Sequence, residues 1–366
     1  MKLKIGILTF HYAINYGAVL QTYALKTTLC KLGHEVHVIH YVNSKMFAEA
    51  SPFFVPHGVG VVARVIHAVR LPMHIKTSIK FKKYVVENLD LSGDIISTSE
   101  DLRKLSKYYD KIITGSDQVF NYIGTGEDFN FYLEFIDDNR KKIAYAPSFG
   151  LSLIDETHKM RVKKCLDEIQ FLTVREQVGQ DIIRSLTGRK VPTVCDPTFL
   201  LETSEWKAAK KNFAVKKPYV LVYSIGSIWL ENAAWKLANE IGAEVINVNR
   251  ALPSGVKGKA KTAYAPDPAE FLSLIDNAMC VVTNSFHGTA LSVLLQKDVY
   301  VALNNYSNSA ATNNRFSTLL GNLGLSDRIF NPDMPPRYSP IDFAVVNKTI
   351  MVWREESLTI LKQALC

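Results

Sequence analysis

Residues 279–296, MCVVTNSFHGTALSVLLQ, constrain the fold more than any other stretch of this chain. Met279–Thr283 is short, apolar and β-branched and reads as a buried strand, while Ala290–Leu295 is an apolar helical run. The turn between them, Asn284-Ser285-Phe286-His287-Gly288-Thr289, supplies helix-capping side chains and leaves backbone N–H groups unpaired at the helix start. A strand that turns straight into a helix belongs to a parallel sheet. The carboxyl end of such a sheet is where α/β proteins bind ligands, and a helix start favours an anion. His287 is the titratable group at that point, as a ligand-site residue or as a helix cap.

The same rhythm runs through the chain. Leu3–Phe10 and Glu35–Tyr41 read as strands on either side of a helix at Gly17–Leu32, a βαβ start. The loop joining the first pair, HYAINYG, is not GxGxxG, so the dinucleotide fingerprint is absent where it would stand. A helix at Ser99–Lys107 precedes a strand, Lys111–Thr114, that ends in Gly115-Ser116-Asp117-Gln118. Lys142–Ala146 ends in Pro147-Ser148-Phe149-Gly150; both loops are small and polar, as strand ends facing a cleft tend to be. A helix at Ile154–Ile169, a strand at Phe171–Val174, a helix opened by Arg175-Glu176 and a strand at Val191–Cys195 follow, leading into Asp196-Pro197.

A basic linker ending in Lys216-Lys217-Pro218 then restarts the pattern. Strands are expected at Tyr219–Ile225, 244–248 and 299–303 besides the focal one, and helices near 229–241 and 268–277. Asn304–Asn314 is rich in Ser, Asn and Ala and reads as a long loop able to act as a lid, and Val346–Leu365 as a terminal helix. For 366 residues, two α/β domains around a cleft are expected: 1–205 and 216–345, with 346–366 packing back on the first.

Charge narrows the partners. The net charge of +8 fits an anionic membrane surface or an anionic small substrate. Nucleic acid is set aside, because no helix-turn-helix, zinc-finger or RNP-type pattern is present. A basic helical insertion stands at 50–90: Arg64, Arg70, Lys76, Lys80, Lys82 and Lys83 fall in 50–86 without one Asp or Glu, and Pro72 divides it into two expected helices. Its basic face is either solvated or laid on a membrane surface. With no run of about 18 apolar residues and no signal-peptide pattern, a cytoplasmic protein is expected. The five cysteines, at 30, 165, 195, 280 and 366, lack CxxC spacing and are read as reduced. His34, His37 and His40 fail as a metal site because alternate strand residues point to opposite faces, so neither a metal nor another cofactor is expected.

Several fragments in order, NYGAVLQTYAL at 15–25, GSDQVF at 115–120, SFG at 148–150, VRE at 174–176, DPTFLL at 196–201 and NSFHGTAL at 284–291, resemble the polysaccharide pyruvyl transferase family. The resemblance implies a glycosyltransferase-B-like architecture, two Rossmann-like domains facing across a cleft. It also implies transfer of the pyruvyl group of phosphoenolpyruvate onto two hydroxyls of a sugar as a cyclic ketal, with release of phosphate. The acceptor is then a surface-polysaccharide sugar, free or lipid-linked. The family's SxRE-type arginine falls on Arg175, and its Arg-Leu-His-Gly motif on Ser285-Phe286-His287-Gly288, so the histidine is kept and the arginine before it is a serine.

Phosphoenolpyruvate carries two anionic groups that arginine holds well, and Arg315 is the candidate replacement. Asn284, Ser285, Phe286, Gly288, Arg175 and Arg315 are thus the expected donor side, and His287 the general acid. Asp117 is the candidate base, although it can equally cap its own loop, and Asn15, Tyr16, Ser116 and Gln118 are the expected acceptor side. Arg175 has a structural alternative, pairing with Glu176. Two other readings remain open: a nucleotide-sugar glycosyltransferase, and a carbohydrate-binding protein that has lost its donor site. A serine hydrolase is set aside for want of a GxSxG elbow.

Overall fold

The computed structural model describes residues 1–55, 60–224, 230–248, 260–303, 309–331 and 334–366. The first half contains β1 (Lys4–Leu8), α1 (Tyr16–Lys31), β2 (Glu35–Val38), α2 (Ser44–Glu49), α3 (Val61–Asn88) and α4 (Ser99–Ser106). It continues through β3 (Lys111–Gly115), α5 (Tyr122–Thr125), β4 (Lys142–Tyr145), α6 (Glu156–Glu168), β5 (Phe171–Leu172) and α7 (Gln177–Thr187). Its strands form one parallel sheet in the order β2-β1-β3-β4-β5.

After α8 (Thr203–Ala209) the second half begins with β6 (Tyr219–Tyr223), α9 (Leu230–Ile241), β7 (Glu244–Val248), β8 (Lys261–Ala263) and α10 (Pro268–Asp276). It ends with β9 (Cys280–Thr283), α11 (Phe286–Leu294), β10 (Asp298–Ala302), α12 (Ser309–Asn322), β11 (Ile329–Phe330) and α13 (Phe343–Ala364). The second sheet, also parallel, has the order β11-β10-β9-β6-β7-β8. Strands β6 and β9 are buried throughout, which explains their unbroken Val/Leu/Cys runs: helices cover both faces.

Strand order reverses between β1 and β3 in the first sheet and between β6 and β9 in the second. Such switch points open a crevice at the carboxyl ends of the strands. Here they carry the 9–15 and 115–118 loops on one side and the 284–285 turn on the other, and the two sides meet.

Contacts across the halves hold them in register. Tyr16, stacked on Phe271 with ring centres 4.1 Å apart, donates to Pro266 O at 2.9 Å. Lys80 pairs with Glu270 at 2.7 Å. Helix α13 returns to the last segment of the first domain: Arg354 donates to Phe199 O at 2.6 Å and Leu201 O at 2.9 Å, and Ser357 Oγ accepts from Cys195 N at 2.9 Å. A single apolar core runs from Ile5 and Leu25 through Phe199 and Trp206 to Leu221 and Leu291.

Three expectations are corrected. The basic insertion is one helix, not two: α3 runs through Pro72. Proline removes one backbone hydrogen bond, but burial of Met73, Thr77, Phe81, Tyr84 and Val85 fixes the following turns. Val191–Cys195 is not a strand; it makes only an isolated bridge, Val174 to Thr193, because Pro192 has no N–H to offer a ladder. Of the expected 304–314 loop, residues 309–314 open helix α12, while 304–308, like Ile225 of the expected 219–225 strand, lie outside the described residues. Polarity mimicked a loop there, although Ala310, Ala311 and the spacing of Phe316, Leu319 and Leu320 suit a helix.

The lysines of α3 are also partly engaged: besides Lys80, Lys76 Nζ lies 5.3 Å from the Tyr264 ring and Lys82 Nζ 5.7 Å from the Tyr12 ring. Among the described residues no helix is long and apolar enough to cross a membrane.

Pro72→Ala is expected to raise the unfolding free energy by about 1–3 kcal/mol, since a helix-interior proline is about 3 kcal/mol worse than alanine. Denaturant unfolding checks this, and a loss of stability would mean that the proline kink is needed for packing.

Candidate active site

The turn after β9 is built by its own side chains. Thr283 Oγ donates to Tyr223 O at 2.7 Å and accepts from Ser285 N at 3.0 Å, tying the two central strands of the second sheet to the turn. Ser285 is the N-cap of α11, its Oγ accepting from Gly288 N at 3.2 Å. Gly288 is required by space: a Cβ there would meet Thr283 Oγ at 2.8 Å and Tyr223 at 2.9 Å. These contacts aim Phe286 and His287 toward the other domain.

The imidazole of His287 lies against α1. A Cβ on Gly17, in the first turn of that helix, would overlap the ring, so glycine is what lets the two halves approach. His287 Nε2 is buried, has no hydrogen-bond partner, and stands 3.4 Å from Asp196 Oδ2.

Asp196 is the hub. Fully buried, it accepts at Oδ2 from Ser116 Oγ at 2.7 Å and from Arg175 Nη1 at 2.8 Å, and at Oδ1 from Thr198 N at 3.0 Å and Oγ at 2.8 Å. Burial pushes its carboxyl up, but His287, Arg175 and the Thr198 N–H outweigh burial and hold it well below the usual carboxylate range. Arg175 also reaches Glu176 at 3.3 Å, and Glu176 accepts in turn from Ser148. Burial works against the Arg175 charge, yet Glu176, Asp196 and Asp117 overcome this and raise its pKa. Arg175 Nη2 is left buried without a partner.

Two guanidinium groups approach the ring of Phe286. Arg175 Cζ is 4.3 Å from its ring centre and Arg315 Cζ 6.0 Å, and both arginines stand over the ring. With its amide oxygen facing the arginine, Gln118 accepts from Arg315 Nη1 at 3.0 Å and Nη2 at 3.1 Å, so that both nitrogens of the guanidinium end converge on one acceptor oxygen.

The structure therefore gathers Ser116, Gln118, Arg175, Ser285, Phe286, His287, Gly288 and Arg315 at one place, where Asn284, at the end of β9, is buried beside them. Asp117 sits in the same loop, half-buried, its Oδ1 accepting from Gln118 N at 2.9 Å. Ser116 (φ 29°), Asp117 (φ 63°) and Ala146 (φ 53°) all adopt left-handed backbone, so strain is held at the ends of β3 and β4.

Two expected acceptor residues are placed otherwise. Asn15 caps α1, accepting from Gly17 N at 2.9 Å and Ala18 N at 3.3 Å, and Tyr16 is buried in the contact between halves. Sequence reading missed Asp196, Glu176, Ser148 and Gly17 as parts of this cluster. Asp196-Pro197 at a strand-like end was the available signal. His34, His37 and His40 make separate contacts, with Leu3 N, the Tyr109 ring and Gly93 O.

A model of the polysaccharide pyruvyl transferase family matches residues 15–306. No curated protein sequence matches the chain. Among solved structures, a Listeria monocytogenes protein described as a UDP-N-acetylglucosamine 2-epimerase shares the fold over 99% of this chain and 91% of its own, at 9% identity and a TM-score of 0.52. Weaker likenesses include the Methanocaldococcus jannaschii UDP-GlcNAc 2-epimerase (13% identity, 97% and 93% covered, TM-score 0.49) and a spinosyn rhamnosyltransferase (11%, 99% and 99%, TM-score 0.43).

Asp196→Asn is expected to cost about 3–5 kcal/mol at neutral pH, as removal of one partner from a buried pair does. A carboxyl held below its ordinary range contributes stability that is present above about pH 4 and is lost as pH falls through the folded-state value. The gap between wild type and variant should therefore narrow on acidification below about pH 4, as urea unfolding at stepped pH would show. A gap that widens toward acid would contradict the assignment.

Proposed function

The chain belongs to the polysaccharide pyruvyl transferase family, and from that premise we propose that it transfers the pyruvyl group of phosphoenolpyruvate onto two hydroxyls of a sugar in a surface-polysaccharide precursor, forming a cyclic ketal and releasing phosphate. The observation that carries this reading is the convergence of Arg175 and Arg315 on Phe286 beside His287, where the two domains meet. Ser285 gives its side chain to the helix cap, and Arg315 brings a guanidinium to the ring of Phe286, the next residue.

In this mechanism the donor's carboxylate or phosphate displaces Gln118 from Arg315 and takes the bidentate contact. The first turn of α11 adds N–H groups and the positive end of its dipole. Protonated His287, steadied by Asp196, delivers its proton to the methylene carbon of the enol, leaving an oxocarbenium ion that the first sugar hydroxyl attacks. Phosphate leaves, the second hydroxyl closes the ring, and of the two hydroxyl protons one restores His287 and the other departs with phosphate. Asp117, on the strained loop opposite, takes up the first hydroxyl's proton and passes it to the departing phosphate, so that it ends the cycle as it began. Because Asp196 is already engaged four ways, it acts through His287 as a positioning residue.

Thermal unfolding tests the donor. Phosphoenolpyruvate at about 100 times its dissociation constant should add roughly 2.7 kcal/mol to wild type. Arg315→Ala should weaken binding about 10- to 150-fold, the value of a charge-assisted hydrogen bond of about 1.5–3 kcal/mol. Arg175→Ala is the poorer probe, because it strands Asp196 and Glu176 as buried charges. Stabilisation by a UDP-sugar and not by phosphoenolpyruvate would move the assignment to a nucleotide-sugar glycosyltransferase. Stabilisation by neither would favour a carbohydrate-binding protein.

A further inference from the structure

We propose that the chain forms a homodimer through the outer face of α13, two copies of that helix packing antiparallel about a twofold axis at Val352. The proposal is independent of the chemistry assigned to the cleft.

Helix α13 has two faces. Inward, Val346, Ile350, Ser357 and Leu361 are buried at helical spacing, and this side makes the contacts to Cys195, Phe199 and Leu201. Outward, Val345, Val352 and Thr359 recur every seven residues with Lys348 and Glu355 between them, an exposed heptad seam. Val345 is 61% exposed, Val352 52% and the neighbouring Met351 51%. Valine at successive heptad positions of an otherwise polar face is what a partner helix buries. Beside the seam an open groove of about 460 Å³ runs between α13 and the end of α12, lined by Asn322, Lys348, Thr349, Val352, Trp353 and Glu356.

Charge chooses the occupant. Lys348, Glu355 and Glu356 are exposed, and no ion pair among the described residues engages them. A second copy laid parallel would set Lys348 against Lys348 and Glu355 against Glu355, which is repulsive. Laid antiparallel about Val352, it brings Lys348 of each copy level with Glu355 and Glu356 of the other, so that opposite charges flank a Val352–Val352 centre on both sides. The face is therefore complementary to itself in one orientation, the condition for a twofold interface. One helix face from each copy gives an interface near the low end of the specific range, about 1,200 Å², and association at micromolar concentration is expected.

The pairing uses none of the cleft residues. It does reach the segment that carries the hub: Trp353, in the groove, packs its ring on Phe199 with centroids 5.4 Å apart, and Phe199 follows the Thr198 that holds Asp196.

The test is sedimentation equilibrium of the full chain across the micromolar range, in wild type, Val352→Glu, Lys348→Glu and the double variant Glu355→Lys/Glu356→Lys. All four positions are exposed, so the variants should keep the wild-type unfolding midpoint. Expected are a reversible monomer–dimer equilibrium in wild type and at least tenfold weaker dimerisation in each variant. Mixing the Lys348→Glu chain with the Glu355→Lys/Glu356→Lys chain should restore dimers at wild-type strength or better, because the resulting acidic and basic faces are complementary only to each other. Wild type that stays monomeric would overturn the proposal and leave the face to a different partner. Dimers that ignore Val352→Glu would overturn it by placing the interface elsewhere. Charge variants that weaken association singly and do not restore it when mixed would contradict the antiparallel register.

Discussion

The carboxylate of Asp196 is the interaction on which the rest of the site depends. It is withdrawn completely from water between the two domains, a position that is costly for an unpaired charge and tolerable only because Ser116, Arg175, Thr198 and His287 surround it. Three of these partners belong to the first half and one to the second, so the histidine side of the cleft is complete only when the halves are together. The same charge orients the buried Arg175, and Arg175 in turn presents its face to Phe286. A single ionised group thereby fixes His287, Arg175 and the relation of the domains.

The remainder of the geometry follows from two parallel sheets meeting at their switch points. The ends of β3 and β4 supply the strained Ser116, Asp117 and Ala146, and the end of β9 supplies the capped turn that holds His287. Helix α13 closes the arrangement from behind: its Arg354 and Ser357 hold the backbone around Asp196, at Cys195, Phe199 and Leu201. A helix remote from the cleft thus braces the segment that carries the hub.

Much of this is legible in the sequence, because strand-turn-helix alternation leaves strong periodicity: the β9–α11 unit stands where the apolar pattern puts it, and Arg315, expected as an anion-binding arginine, lies opposite Gln118. What the sequence hid was contact between distant segments. Asp196 and His287 lie 91 positions apart, and nothing local to Asp196 distinguishes a hub from an ordinary cap of the 3-10 turn that follows it. Tyr16 looked like a cleft residue because it opens α1, yet a tyrosine with an apolar ring and one hydroxyl also suits packing against Phe271 and Pro266, and the fold uses it that way. In α3, propensity was overridden by tertiary burial; in 191–195, β-branched composition was overridden by a proline.

The account stands on one site assembled from both domains around His287, and a crystal structure of the protein with phosphoenolpyruvate tests that most directly. The account predicts one anionic group of the ligand on Arg315 in place of Gln118, and the methylene carbon about 3–3.5 Å from a ring nitrogen of His287, a reacting distance. Phosphoenolpyruvate bound within one domain alone, away from His287 and Arg315, would contradict it.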